Sequence, residues 1–338
     1  MMDAPKTDTD MYKLEIGSPV ANGDWSLMAW QADVDHVMDN FSLREPGMKK
    51  METLSETRTQ GARLVVDQTF DYTKTVAFGV DVESNEWDAT LRDVTSGTPS
   101  VASFMWPGVE RDRIGVFVEG FHQIRANTKL GAGVRYDRVE MDATEADQTY
   151  MGGMKSPAQS YDVDDTEAKD DNVSAFVSGE FRLSSYNALE VIASHSVRSP
   201  SVNERYVAKD TMMGTWVGNP DLDTEKHHKL ELSLNGQADN WHWRPAAWID
   251  EVDDYVYRYD TTRTVMGSQV TDTRYTNIDA RLLGVEAELG WSNGTWSSTG
   301  ALASVRGTNK TENQPLPQIP PLMYTHTCLL YTSPSPRD

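Results

Sequence analysis

His36 and Met38 stand two residues apart in the segment Val34-Asp35-His36-Val37-Met38-Asp39-Asn40-Phe41-Ser42-Leu43-Arg44, near the end of a stretch that reads as a β-strand. In an extended chain the side chains at i and i+2 leave from one face, roughly 7 Å apart at about 3.3 Å rise per residue. An imidazole and a thioether so placed reach the same ion. Imidazole suits several transition metals and thioether selects soft ones, so the pair points to copper, and to Cu(I) ahead of zinc or iron. Two ligands do not complete a site, and the other reading of the segment is an ordinary polar strand end.

Further soft donors are scattered elsewhere. Met141, Met151 and Met154 fall in an acidic stretch, residues 140–171, and Met212 and Met213 follow Tyr206. Exposed methionines offer secondary copper contacts, although methionine is also a common filler of irregular packing. His227 and His228 are adjacent, so on a strand their rings leave opposite faces and chelate poorly, which suits a wall and an interface better than a metal. Asp162, Asp164 and Asp165 have the spacing of a calcium loop without its glycine and distal glutamate, and read as a solvated acidic loop. No phosphate-binding glycine loop, nucleophile elbow or His-Glu-x-x-His pattern occurs, so an enzyme is not expected.

The chain has 338 residues and a formal charge of −21, with mean hydropathy −0.56. That charge argues against nucleic acid as a partner, because phosphate binding needs clustered Lys and Arg. It gathers cations instead. No apolar run reaches the 18 or so residues of a membrane helix. The single cysteine, Cys328, allows no internal disulfide and no Cys-rich metal site. Met1 is followed by acidic and polar residues rather than by the basic and apolar segments of an export signal.

What must position these residues is a set of strands. Leu130, Ala132, Val134 and Tyr136 share one face while Lys129, Gly131, Gly133, Arg135 and Asp137 share the other. The same period of two runs through Leu230, Leu232 and Leu234 and through Leu283, Val285, Ala287 and Leu289. It also runs through Val173, Ala175, Val177, Phe181 and Leu183, and less regular strands can be drawn around residues 10–17, 24–38, 58–70, 74–86, 111–121, 186–196, 241–259 and 293–305, about a dozen in all. Soluble sandwiches and propellers also alternate. These strands approach the 9–11 residues or so that cross a membrane, rather than the five or six usual in globular proteins. Trp241, Trp243, Tyr255, Tyr257, Tyr259, Trp291 and Trp296 gather near strand ends, and tight turns contrast with long polar connections expected at 87–110, 140–170 and 197–225. Girdles and unequal loops are the pattern of a transmembrane barrel.

Specific residues then carry a resemblance. Arg198-Ser199-Pro200-Ser201-Val202-Asn203-Glu204-Arg205-Tyr206, then Gly218-Asn219-Pro220-Asp221-Leu222-Asp223-Thr224-Glu225-Lys226 and an alternating strand, resemble the barrel of TonB-dependent outer-membrane receptors. Tyr275-Thr276-Asn277-Ile278 leading into Gly284-Val285-Glu286-Ala287, and Leu316-Pro317-Gln318-Ile319-Pro320-Pro321-Leu322, are similar to that family's next landmarks. Residues 35–44 resemble the copper-receptor branch, in which a His-x-Met pair on the barrel helps hold copper and the plug adds a cysteine and another methionine.

The resemblance implies an all-β fold: a partial antiparallel transmembrane β-barrel, a fragment of a barrel of about 22 strands whose plug domain is absent. Residues 1–325 are expected to be this partial barrel, with Met1 an internal methionine or artificial start and the export signal encoded upstream. Residues 326–338, with neither alternation nor a terminal aromatic, are expected to be a non-native tail, and Cys328 in it is given no role. The implied function is uptake of copper ions as bound ligand, with no organic cofactor, across the cell outer membrane, driven by the TonB complex acting through the missing plug. His36 and Met38 are the expected ligands, with Met141, Met151 and Met154 as secondary contacts. A siderophore or cobalamin receptor and a passive porin or structural barrel are the alternatives. The face of the His36 strand stays open. Ala32, Val34, His36 and Met38 share its even side and Asp33, Asp35 and Asp39 its odd side, so alternation alone sends the polar odd side into the lumen, whereas the resemblance requires the opposite.

Overall fold

The computed structural model describes residues 2–163, 165–211 and 214–331; Met1, Asp164, Met212, Met213 and residues 332–338 lie outside the described residues. The strands are β1 (Asp3–Val20), β2 (Gly23–Asp39), β3 (Met51–Asp71), β4 (Lys74–Asp93), β5 (Ser100–Arg125), β6 (Thr128–Ala143), β7 (Ala168–Arg182) and β8 (Asn187–Arg198), followed by the short β9 (Ala208–Thr211) and β10 (Gly214–Val217). After these come β11 (Glu225–Ala238), β12 (Trp241–Val265), β13 (Ser268–Ser292), β14 (Trp296–Asn309), β15 (Gln314–Pro315) and β16 (Met323–Leu330). Two short helices, α1 (Pro157–Tyr161) and α2 (Val202–Tyr206), sit in the long connections. Among the described residues no helix is long and apolar enough to cross a membrane.

All the strands join one 16-stranded sheet. β1 to β8 and β11 to β14 form an antiparallel meander, and each corresponds to a strand legible in the sequence. β9 and β10 make a hairpin that touches β13 through the parallel pair Trp216 and Thr273. Among the described residues the sheet does not close: β1 pairs only with β2 and β16 only with β14. Residues 326–330, expected beyond the barrel boundary, lie in β16, where His326 opposes Gly300 and Cys328 opposes Ser298.

The strands of the meander overshoot a bilayer, from 12 residues in β8 to 26 in β5, against the 9–11 or so needed to cross. At one end the connections are tight, as at residues 21–22, 72–73, 126–127 and 239–240; at the other, residues 144–167 and 199–224 form long loops. The long connection expected at 87–110 is instead mostly strand. β4 runs on to Asp93 and β5 starts at Ser100, leaving a turn of residues 94–99.

Register separates the two faces. Leu64, Val80, Val116 and Tyr136 are successive partners across β3 to β6 and are exposed, the face that meets lipid. Their neighbours Arg63, Asp81 and Asp137 lie on the opposite, inner face. There Arg135 bonds Asp81 at 2.8 and 3.0 Å, and Arg113 stands 3.1 Å from Asp81. The buried core is not in mid-sheet. It lies at the long-loop end, where Val109, Val139, Met141 and Ala143 pack against Tyr161, Val202, Tyr206, Ala208 and Val217.

Candidate metal centre on the inner wall

The pairing of β2 with β3 runs without a break from Gly23 opposite Gln68 to Asp39 opposite Glu52. Leu27 opposes Leu64 of the lipid face and Met28 opposes Arg63 of the inner face, so His36 and Met38 belong to the inner face. Trp30, on the same side, lies over Gly61, where a Cβ would fall 2.3 Å from the indole ring. Only glycine leaves room for it.

Along β2 the polarity of the two faces inverts. Nearer the tight turn Leu27 and Ala29 face outward; further up the same side carries Gln31, Asp33 and Asp35, while the inner side carries Ala32 and Val34. Arg58 and Gln31 hold Asp33 at 2.7 and 2.6 Å on that outer surface. β6 inverts likewise, from outward Leu130, Val134 and Tyr136 to outward Arg138, Glu140 and Asp142, with Val139, Met141 and Ala143 turned inward. Each inversion marks where a strand leaves the lipid band: outside it the outer face meets water, and the inner face meets the folded loops. Alternation alone therefore assigns the upper part of β2 the wrong way round.

His36 sits among inner-face partners. Thr7 Oγ1 of β1 lies 2.7 Å from its Nδ1. Ser55 and then Ala89 follow across β3 and β4. Met38 opposes Thr53, a buried hydroxyl that donates to the sulfur of Met2 at 3.6 Å. The next residue, Asp39, is buried and accepts hydrogen bonds from the Phe41 and Ser42 amides at 2.9 and 2.7 Å, and from the Ser42 hydroxyl. Burial pushes its carboxyl up, and the bonds from Ser42 and Phe41 outweigh that, holding it below the ordinary carboxylate range. Arg44 then pairs with Asp3 of β1, which fixes the chain leaving β2 beside the site. Among the described residues no three His, Cys, Asp or Glu side chains converge as a metal site.

The other candidates lie apart. Met141 is not in an exposed loop: it is in β6, 2% exposed, with its sulfur 3.6 Å from the Arg205 guanidinium. Glu140 and Asp142 made its surroundings look like a loop, but they point outward past the lipid band. Met151 and Met154 are exposed in the connection between β6 and β7. β3, β4 and β5 separate all three from β2. His227 turns inward to Asp250 at 2.8 Å, while His228 turns outward onto the His195 ring, centroids 4.7 Å apart. Asp162 adopts a left-handed conformation that ends α1, and Asp165 accepts from the Glu167 amide. Cys328 is exposed. Spacing does not single out Met2, because its contact with Thr53 exists only across the sheet.

A family model described as TonB dependent receptor-like, beta-barrel matches residues 6–334. The chain belongs to the TonB-dependent receptor family. It is an outer-membrane protein, and this barrel is its fold. Among solved structures it resembles the copper transporter OprC at 23% identity with TM-score 0.80, covering 97% of this chain and 50% of that one. It also resembles the ferric yersiniabactin uptake receptor FyuA from Yersinia pestis, at 13% identity and TM-score 0.68, covering 95% and 46%. The alcaligin outer-membrane receptor FauA from Bordetella pertussis is similar at 13% identity and TM-score 0.64, covering 97% and 51%. The chain thus spans about half the length of these structures.

The receptor landmarks in the sequence turn out to be fasteners of the long-loop end. Ser201 and Glu204 form a capping box at α2, and Glu204 also accepts from Arg198 at 2.8 Å. Arg205 is buried, bonded to Asp170 at 2.8 and 2.9 Å and to the Leu222 carbonyl at 2.9 Å. Gly218 lies against that turn so closely that a Cβ would meet the Arg205 backbone at 2.4 Å. The Asn277 side chain accepts from the Asp223 amide and donates to the Asp223 and Asp254 carbonyls, tying the loop to β13. Leu316 and Ile319 close a second small core over Val252 and Ala280.

Proposed function

We propose that this chain is the barrel wall of a receptor that takes up copper, binding it at the long-loop end through His36 and Met38. The single observation that carries the reading is that both side chains share the inner face of β2. They do so where the lipid band has been passed and a ligand arriving from the loop side first meets the wall. The likeness to the copper transporter OprC supports it. A plug encoded outside these residues completes the site with further sulfur donors and couples it to the TonB complex. The exposed Met151 and Met154 serve as soft capture points on the approach; Met141, buried against Arg205, does not.

The second reading, a ferric siderophore receptor, draws on the likeness to FyuA and FauA. Family membership speaks against the passive porin. Uptake decides between the two readings. In cells carrying the whole receptor, accumulation of radioactive copper should require TonB and fall to background when His36 and Met38 are both replaced by alanine. Copper accumulation unchanged by the double substitution, together with TonB-dependent entry of a ferric siderophore, would overturn the copper reading.

A further inference from the structure

The contact between Thr53 and Met2 places a third soft donor on the same stretch of wall. Met2 precedes β1 and Thr53 belongs to β3, with β2 lying between them. Neighbouring strands run about 4.8 Å apart, so a side chain entering from β1 whose sulfur reaches β3 has to pass over β2. Asp3 opposes Asp39 and Thr53 opposes Met38, which sets the crossing at the level of Met38. The register explains why Met2 faces inward. Between Asp3 and Lys6 the pairing slips by one residue, since Asp3 opposes Asp39 but Lys6 opposes Val37. That irregularity, a β-bulge, reverses which side successive side chains take. With regular pairing Met2 would lie on the outer face, beside Asp8 and Asp10.

We infer that Met2 is a third wall ligand, so that the barrel alone offers one imidazole nitrogen and two thioether sulfurs; this rests on the copper reading above. Thr7 engages His36 Nδ1 and so leaves Nε2 for the metal. The Thr53 hydroxyl uses one lone pair of the Met2 sulfur, and the other remains to be donated. Thr53 is 3% exposed, so this bond holds the thioether in place with little competition from water. A donor set of one imidazole and two thioethers, with no carboxylate, is soft and uncharged. It selects Cu(I) and its analogue Ag(I) over Zn(II) and Cu(II).

The test uses the whole receptor, purified and loaded with Cu(I) under reducing conditions, with Ag(I) as a second probe. Met2→Leu keeps the volume and removes the sulfur. It should lower Cu(I) affinity more than about 100-fold, beyond the 10–100-fold or so lost when only a partner behind a ligand is removed, and remove one sulfur from the metal's shell by X-ray absorption. Unchanged affinity and sulfur count in Met2→Leu, with both reduced in His36→Ala, would overturn the role of Met2 while leaving the copper reading intact. Wild-type behaviour in both variants, or no Cu(I) bound by the wild type, would overturn both. Unaltered circular dichroism and heat-modifiable migration of Met2→Leu establish that a loss of affinity is not a loss of fold.

Discussion

Thr7 and His36, on neighbouring strands, are joined by a 2.7 Å hydrogen bond from one side-chain oxygen to one ring nitrogen. The bond fixes the plane of the imidazole and decides which nitrogen is left for a metal. Thr7→Val keeps the shape and removes the hydroxyl. Copper affinity of the whole receptor should then fall about 10–100-fold, while Thr7→Ser should remain near wild type. Competition against a chromophoric copper chelator measures both, and equal affinity of Thr7→Val and wild type would show that Nδ1 needs no partner.

The loops over the inner face hang on Arg205, whose side chain is 2% exposed and whose partner Asp170 is 7% exposed. Removing one member strands a buried charge, at about 3–5 kcal/mol. Arg205→Met should therefore destabilise the receptor by about that amount, and the double variant Arg205→Met, Asp170→Leu by less than the single one. Denaturant unfolding of the refolded receptor gives the comparison. A double variant at least as unstable as Arg205→Met would refute the account of the pair.

The rim also carries a pH dependence. Glu225 and His227 begin β11 on the inner face, above the membrane-spanning stretch that starts at Leu230. Burial pushes the Glu225 carboxyl up, but hydrogen bonds from His227 and Arg198 prevail and hold it at about 2. Hydrogen bonds to Asp250 and Glu225 raise His227 to about 9. The contribution of Glu225 is present above its ordinary 4.5 and is lost as pH falls towards 2. That of His227 is complete below its ordinary 6.5 and is lost as pH rises through about 9. Hydrogen exchange at the start of β11, corrected for intrinsic rates, should show protection falling on both flanks. His227→Gln should abolish the alkaline fall and keep the acid one; an alkaline fall that persists would assign it elsewhere.

The sequence shows the barrel best where lipid imposes it. Inside the band one face must be apolar, so Leu130, Val134 and Tyr136 or Leu283, Val285 and Leu289 declare their strands. Above the band the alternation inverts, as in β2 and β6, or is lost where both faces are covered, as in β4. Ala89, Thr90 and Leu91 are consecutive and all buried, which is why the upper half of β4 read as a connection. Residues 268–282, rich in Thr, Asp and Arg, hide the first half of β13 because polar side chains occupy both of its faces. At the candidate site His36 and Met38 were legible from spacing, but their face was not, since the polarity of β2 inverts below them. Met2 was invisible because only a bulge and a cross-strand contact bring it near. The receptor landmarks were recognisable as a pattern, while their work as fasteners emerged only from Arg205, Gly218 and Asn277 in place.

Copper stoichiometry of the purified whole receptor tests the central claim most directly. With His36 and Met38 both replaced by alanine, the metal bound per receptor should drop from one to background while barrel content by circular dichroism stays unchanged, and Met151→Leu with Met154→Leu should leave the stoichiometry at its wild-type value. Full copper occupancy in the double alanine variant would contradict the account.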